Sequence, residues 1–102
     1  MKPLILHFEA KVEVAEAADF LEERRKGYGE KFRAEVLAAF RQIRRSPKAF
    51  SLYKRGPVRR RLVIPFGYGV YYVEEDDRIF VLAVMNQRRE PDYWMDRLKD
   101  LN

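Results

Sequence analysis

The chain has 102 residues, 47% of them hydrophobic and 14% aromatic, with 21 basic and 16 acidic side chains and a formal charge of +5. That is enough for one domain (1–102) with a single modest core and too little for two, and the apolar content excludes a disordered chain. With no cysteine and a single histidine, His7, disulfides, thiolate metal sites and multi-imidazole centres are out of reach within one chain, and neither metal nor cofactor is expected.

In chain order, the opening MKPLILHFEAK is apolar over too short a run for a secretory leader or a membrane span, so a cytoplasmic protein without membrane contact is expected. PLILHF (3–8) reads as a short strand, with His7 making a local hydrogen bond. Val14, Ala17, Ala18 and Leu21 then recur at helical spacing, with Phe20 at the edge and Glu13, Glu16, Asp19, Glu22 and Glu23 between them. KGYG (26–29) ends this helix, since Gly27 and Gly29 supply the backbone freedom a helix end needs. A second helix carries the stripe Phe32, Val36, Ala39, Phe40 and Ile43, with Leu37 beside it, and stops at Pro47. The simplest arrangement is an antiparallel helical hairpin.

Residues 47–58 read as a loop punctuated by Pro47, Gly56 and Pro57. RRRLVI (59–64), YGVYYVEE (68–75) and RIFVLAVMN (78–86) are rich in β-branched and aromatic residues and read as three strands of an antiparallel meander. The acidic run Glu74, Glu75, Asp76 and Asp77 reads as a solvated hairpin tip, and Gly67 and Gly69 as a bend or bulge. PDYWMDRLKDLN (91–102) suits a short terminal helix, with Pro91 at its first position and Asp92 in its first turn. The class is α+β: an N-terminal strand, a two-helix hairpin packed on an antiparallel sheet of three to four strands, and a short C-terminal helix.

Alternation along the last strand puts Ile79, Val81, Ala83 and Met85 on one face and Phe80, Leu82 and Val84 on the other. In the strand before it, Val70 and Tyr72 oppose Tyr71 and Val73. Both faces are therefore apolar, whereas a helical hairpin covers one. Either the chain's own ends cover the second face, or a partner does and the free protein exposes a large apolar patch.

The charge is unevenly spread. Between Val36 and Val73 there is no acid at all, and nine basic residues occur: Arg41, Arg44, Arg45, Lys48, Lys54, Arg55, Arg59, Arg60 and Arg61. The rest of the chain carries twelve basic against sixteen acidic groups. Such a block favours acidic or phosphate-rich partners, although a basic run is also what a solvated face looks like.

Hydrolytic arrangements are lacking: no serine sits in a nucleophile elbow, and FGYGVYY is followed by no helix that would make it a phosphate loop. Arginine remains. Arg59 and Arg61 share one face of the first meander strand, opposite Leu62 and Ile64 on the core side. Arg88 and Arg89 end the last strand, with Tyr93 and Trp94 just beyond. Guanidinium forks suit phosphate and aromatic rings suit bases, so Lys54, Arg55, Arg59, Arg60, Arg61, Arg88, Arg89 and Trp94 are candidates for binding a partner or nucleic acid. Packing is the plainer reading for Trp94, while for Tyr93 packing and ligand contact stand level.

GEKFRAEVLAAFRQIRRSP (29–47), RRRLVIPFGYGVYY (59–72) and IFVLAVMNQRREPDYW (79–94) together resemble the RelE/ParE superfamily of bacterial toxins, nearest its ParE-like plasmid-stabilisation branch. The likeness runs over nearly the whole chain, with Gly67 where that family has proline and Asn86 where it has histidine. It implies the toxin of a type II toxin–antitoxin module, bound by a cognate, acidic antitoxin encoded in an adjacent gene. It also implies one of two targets. ParE-like members poison DNA gyrase by contact and need no catalytic group. RelE-like members cut mRNA on the ribosome, and carrying their residues over would make Arg59, Arg61, Arg88 and Tyr93 catalytic, with Lys54 as the loop lysine. That second set is only partly filled here, so gyrase inhibition without enzymatic activity is favoured over the endoribonuclease. A non-toxic basic nucleic-acid-binding domain is the remaining alternative.

Overall fold

Three residues, Leu4–Leu6, form strand β1, and His7 converts the strand into a helix. Its backbone N–H still bonds the sheet at Val81 O (2.8 Å), while its Nδ1 accepts the N–H of Glu9 (3.1 Å) as a cap. Helix α1 therefore runs over Phe8–Arg24 and takes in Phe8, which strand 3–8 had included. The computed structural model describes residues 1–54, 56–89 and 93–101.

α1 turns into α2 (Tyr28–Arg45) through Gly27, at φ 91°. The carboxylate of Glu22 accepts the N–H groups of both Gly27 and Gly29 at 3.0–3.1 Å. Those two donors hold its carboxyl below the ordinary range. Gly29 is needed for a second reason: a Cβ there would lie 2.7 Å from the carbonyl oxygen of Ala18, so the two helices approach closer than any side chain allows. The predicted stripe of α2 is confirmed in Phe32, Val36, Ala39 and Ile43, all buried, whereas Leu37 is exposed.

The sheet has the order β1-β4-β3-β2, with β2 at Arg59–Val63, β3 at Tyr68–Glu74 and β4 at Ile79–Asn86. β2, β3 and β4 form the expected antiparallel meander. β1 joins the far edge parallel to β4, pairing Leu4–Leu6 with Ile79–Val81, so the sheet is mixed. Gly67 closes the β2–β3 turn at φ 76°, a value the proline ring of the resembling family cannot adopt.

Two sequence expectations are corrected here and a third, the short C-terminal helix, is met in a tighter form. First, the strict alternation of β4 fails. The pairing slips between Tyr71 and Tyr72, leaving Leu82 as an extra residue, and parity reverses beyond it. Ile79, Val81 and Val84 face the helices, while Phe80, Leu82, Ala83 and Met85 face away. Second, Arg59 and Arg61 lie on the helix side. Their partners Tyr72 and Val70, and Val63 with Tyr68, all belong to the helix-facing core. Leu62 is only half-buried and Ile64 is 70% exposed, so neither is on a core side. Third, the C-terminal element is a 3-10 helix over Met95–Asp100; Pro91 and Asp92 lie outside the described residues.

The second face is sealed by the chain itself. Val58 and Tyr53 from the 47–58 loop and Trp94, Leu98 and Leu101 from the C-terminal segment pack over Tyr71, Val73, Phe80, Leu82 and Met85. The rings of Tyr53, Tyr71 and Trp94 meet at 5.1–6.0 Å. The sheet thus makes no demand for an external cover. Exposed large apolar residues lie elsewhere, among them Phe8, Val12 and Phe20 along α1.

Gly29→Ala tests the helical hairpin. In an ordinary helix this change stabilises by about 0.5–1 kcal/mol. Here the forced separation of α1 and α2 reverses the sign, with an expected loss of about 1–3 kcal/mol in urea unfolding.

Candidate functional site

β1 covers β4 only as far as Val81, and the bulge at Leu82 leaves the next backbone groups without a strand partner. Side chains take that place. The Arg97 guanidinium donates from Nη1 to Leu82 O (2.8 Å), and Glu13 Oε1 accepts the N–H of Val84 (3.0 Å). Glu13 and Arg97 then bond each other, Oε2 to Nη2 at 2.8 Å, and Arg97 Nε lies 3.1 Å from Glu9 Oε2. Glu13 Oε2 also accepts the Tyr93 hydroxyl. The Arg97 side chain is 6% exposed and that of Glu13 12%. A carboxylate and a guanidinium so enclosed are costly unless well bonded, and here both carboxylate oxygens and all three guanidinium nitrogens have a partner.

The same cluster fixes Tyr93. Burial first, and then its hydrogen bond to Glu13, push the phenol up to about 12. Tyr72, whose hydroxyl donates to Pro47 O at 2.6 Å, is likewise raised to about 12, chiefly by burial.

Beside the cluster, α1 and the bare end of β4 enclose a cleft of about 430 Å³, lined by Ala17, Phe20, Val84, Met85, Arg88 and Arg89 among others. One wall carries Glu13 and Glu16, and Tyr93 closes one side. The Arg89 guanidinium lies 4.8 Å from the centre of the Tyr93 ring, and Arg88 N donates to Asn86 Oδ1 (2.8 Å). Arg88 and Arg89 are exposed.

The sequence-nominated residues do not form one site. Arg88, Arg89 and Tyr93 share the cleft; Arg59 and Arg61 sit on β2, two strands away, or about 10 Å across the sheet. Both are engaged internally. Arg59 Nη1 donates to Phe50 O (2.7 Å), and Arg61 reaches Gln42 Oε1 from Nε and Nη2 (3.2 and 2.6 Å) and Leu62 O from Nη1 (2.6 Å). Arg60 lies on the opposite face, its guanidinium 5.1 Å from the centre of the Tyr53 ring. Lys54 is exposed in the 51–58 turn at φ 60°, and Arg55 lies outside the described residues. Trp94 presents no face for stacking: it is 1% exposed, and its Nε1 has no hydrogen-bond partner among the described residues.

Glu13 and Arg97 escaped the sequence reading. The signal was there in part, because Ala10, Glu13, Val14 and Ala17 follow helical spacing and place an acid on a buried stripe. The acidic hairpin is less solvated than expected: Glu74 pairs with Lys2 (2.8 Å) and Glu75 with Arg78 (2.6 Å), leaving Asp76 and Asp77 exposed.

Residues 4–91 match the sequence profile of a family described as ParE toxin of type II toxin-antitoxin system, parDE. Among solved structures, one titled Chromosomal ParDE TA system from P. aeruginosa superposes with a TM-score of 0.64 at 13% identity, over 84% of this chain and 96% of that one. At that identity the likeness is one of fold. No curated protein matches by sequence. Among the described residues, no helix is long and apolar enough to cross a membrane.

Two predictions follow from the buried cluster. Arg97→Ala, which leaves the Glu13 carboxylate enclosed and unpaired, lowers unfolding free energy by about 3–5 kcal/mol in urea. Replacing both members with apolar residues (Glu13→Leu with Arg97→Met) still costs about 2 kcal/mol, because Val84 N–H and Leu82 C=O lose their caps; an ion pair with no capping role would be replaced at no cost. As for pH, a phenol whose folded value exceeds its unfolded value of about 10 stabilises the fold below pH 10, and that contribution is lost as pH rises through about 12. Tyr93→Phe removes this dependence, so its unfolding free energy falls less steeply between pH 10 and 12 than that of the parent.

Proposed function

Because the chain belongs to the ParE toxin family of type II toxin–antitoxin systems, we propose that it is a growth-arresting toxin held by a cognate antitoxin and that it acts by binding DNA gyrase. The observation that carries the choice of mechanism is the separation of the candidate ribonuclease groups. Cleavage of RNA needs a cation at the developing phosphorane charge and a group that moves a proton, together at one phosphate. Arg59 and Arg61 are bonded to Phe50, Leu62 and Gln42 at the β2 edge, and Tyr93 is bonded to Glu13 at the β4 edge with its proton held to about pH 12. A toxin that works by protein contact makes no such demand on these residues.

The net charge of +5 favours an acidic antitoxin, the product of an adjacent gene, whose segment orders on binding. The ribosome-dependent mRNA endonuclease is the second reading, and what favours it is that Arg88 and Tyr93 do share one cleft.

The mechanisms separate in a purified assay. The expected result is that the chain inhibits supercoiling by gyrase, leaves mRNA intact in a translation reaction, and arrests growth equally well as Tyr93→Phe. That substitution costs about 1.5–3 kcal/mol of stability through one lost hydrogen bond to a carboxylate. Ribosome-dependent message cleavage that disappears with Tyr93→Phe would instead establish the endonuclease.

A further inference from the structure

We infer that the C-terminal turn of α2 and the turn after it form a duplex-DNA contact surface made by Arg41, Arg44, Arg45 and Lys48. All four are exposed, and none forms an ion pair with a carboxylate among the described residues. Arg44 alone has a hydrogen bond, from Nε to Lys2 O (3.0 Å), which orients its guanidinium and leaves both Nη nitrogens without a protein partner among those residues. Glu74 lies within Coulombic reach of Lys48 but is already bonded to Lys2.

The helix macrodipole accounts for Arg44 and Arg45 in the last turn, but not for Arg41 a turn earlier or Lys48 beyond the cap. Arg41 stands one turn from both Arg44 and Arg45, a spacing at which like charges repel. The macrodipole offsets that repulsion only in part, and no carboxylate among the described residues pairs with any of the four, so an external polyanion is favoured. The frame is rigid, since Phe32, Val36, Ala39 and Ile43 of the same helix are fully buried against the sheet.

The chemistry of the surface selects among polyanions. A protein partner needs apolar or aromatic anchors at the centre of its interface; between Arg41 and Ala49 no large hydrophobic residue is exposed, and the exposed Leu37, one turn before Arg41, lies at the end of the surface and not at its centre. A single strand needs free rings on which to stack bases. The rings around it are not free: Tyr72 is buried with its hydroxyl on Pro47 O, and Phe50 and Tyr53 are half-buried, under Arg61 and Arg60 respectively. What remains is contact with phosphates presented in a fixed array. The helical part alone, Arg41 to Arg45, extends about 6 Å, a length over which a duplex carries roughly three to four charges. This surface excludes Arg59, Arg61, Arg88 and Arg89 and does not depend on the toxin reading.

The test is fluorescence anisotropy of a labelled 20-base-pair DNA duplex with the full-length chain made by cell-free translation. Four phosphate contacts predict a slope of log K against log salt of about −3.6, a loss of roughly a hundredfold between 50 and 200 mM. Arg41→Glu/Arg45→Glu reduces the slope to about −1.8 and weakens binding at least tenfold. Lys11→Glu/Lys26→Glu, an equal change in net charge on exposed residues elsewhere, retains the parent slope. Circular dichroism confirms that both variants fold, as expected for surface positions. The inference is overturned by no binding at 50 mM salt, by equal weakening in both double variants, or by a poly-glutamate chain or RNA duplex of the same charge binding more tightly than DNA. Each of these readouts is independent of growth arrest and of gyrase.

Discussion

The Glu13–Arg97 pair, set into the bulged edge of β4, is the contact on which the rest of the molecule depends. A sheet edge with unpaired N–H and C=O groups is a liability, and β1 covers only the first part of this one. Glu13 and Arg97 complete it with side-chain bonds to Val84 N and Leu82 O. Because Glu13 comes from α1 and Arg97 from the C-terminal 3-10 helix, the same bonds join the helical hairpin, the sheet and the chain's last described segment. Trp94, Leu98 and Leu101 are carried with Arg97 onto the second sheet face. His7 adds a second tie, its Nε2 lying 2.7 Å from Asp100 Oδ2.

This closure alters the physical argument for a partner. Two apolar sheet faces left open whether the chain's own ends or a partner covers the second, and the chain covers both. The family assignment therefore rests on the sequence match over residues 4–91. The second cover is not fully satisfied: the Trp94 Nε1 donor is enclosed without a partner among the described residues, a deficit of about 1–3 kcal/mol set against the burial of its ring.

How far the amino-acid pattern could be read follows from how local each feature is. The stripe of α2 and the three meander strands depend on spacing within one element, and they appear within a residue or so of their expected bounds. The reversal of faces at Leu82 does not, because nothing in IFVLAVMN marks a bulge; of the two glycines expected to mark a bend or bulge, Gly67 makes the bend and neither sits at the slip. The misplacement of Arg59 and Arg61 has a similar origin. Which face they occupy is set by the pairing of Val63 with Tyr68, a fact of register that LVI alone leaves ambiguous. The parallel pairing of β1 joins positions more than seventy residues apart and has no local signature. Of the candidate site, Arg88, Arg89 and Tyr93 were found because they follow a strand end. Glu13 was passed over as one polar residue among many on α1, although its neighbours at helical spacing are buried.

Native-state hydrogen exchange at the Val84 amide tests the central claim most directly. If Glu13 caps the edge of β4, this amide exchanges near the global unfolding limit in the parent protein. In Glu13→Ala it then loses protection together with the amides of Arg97 and Leu101, while Val36 and Ala39 in α2 keep theirs relative to the global limit. Unchanged protection at Val84 in that variant, or exchange at Val84 as fast as in an open loop in the parent, would contradict the account.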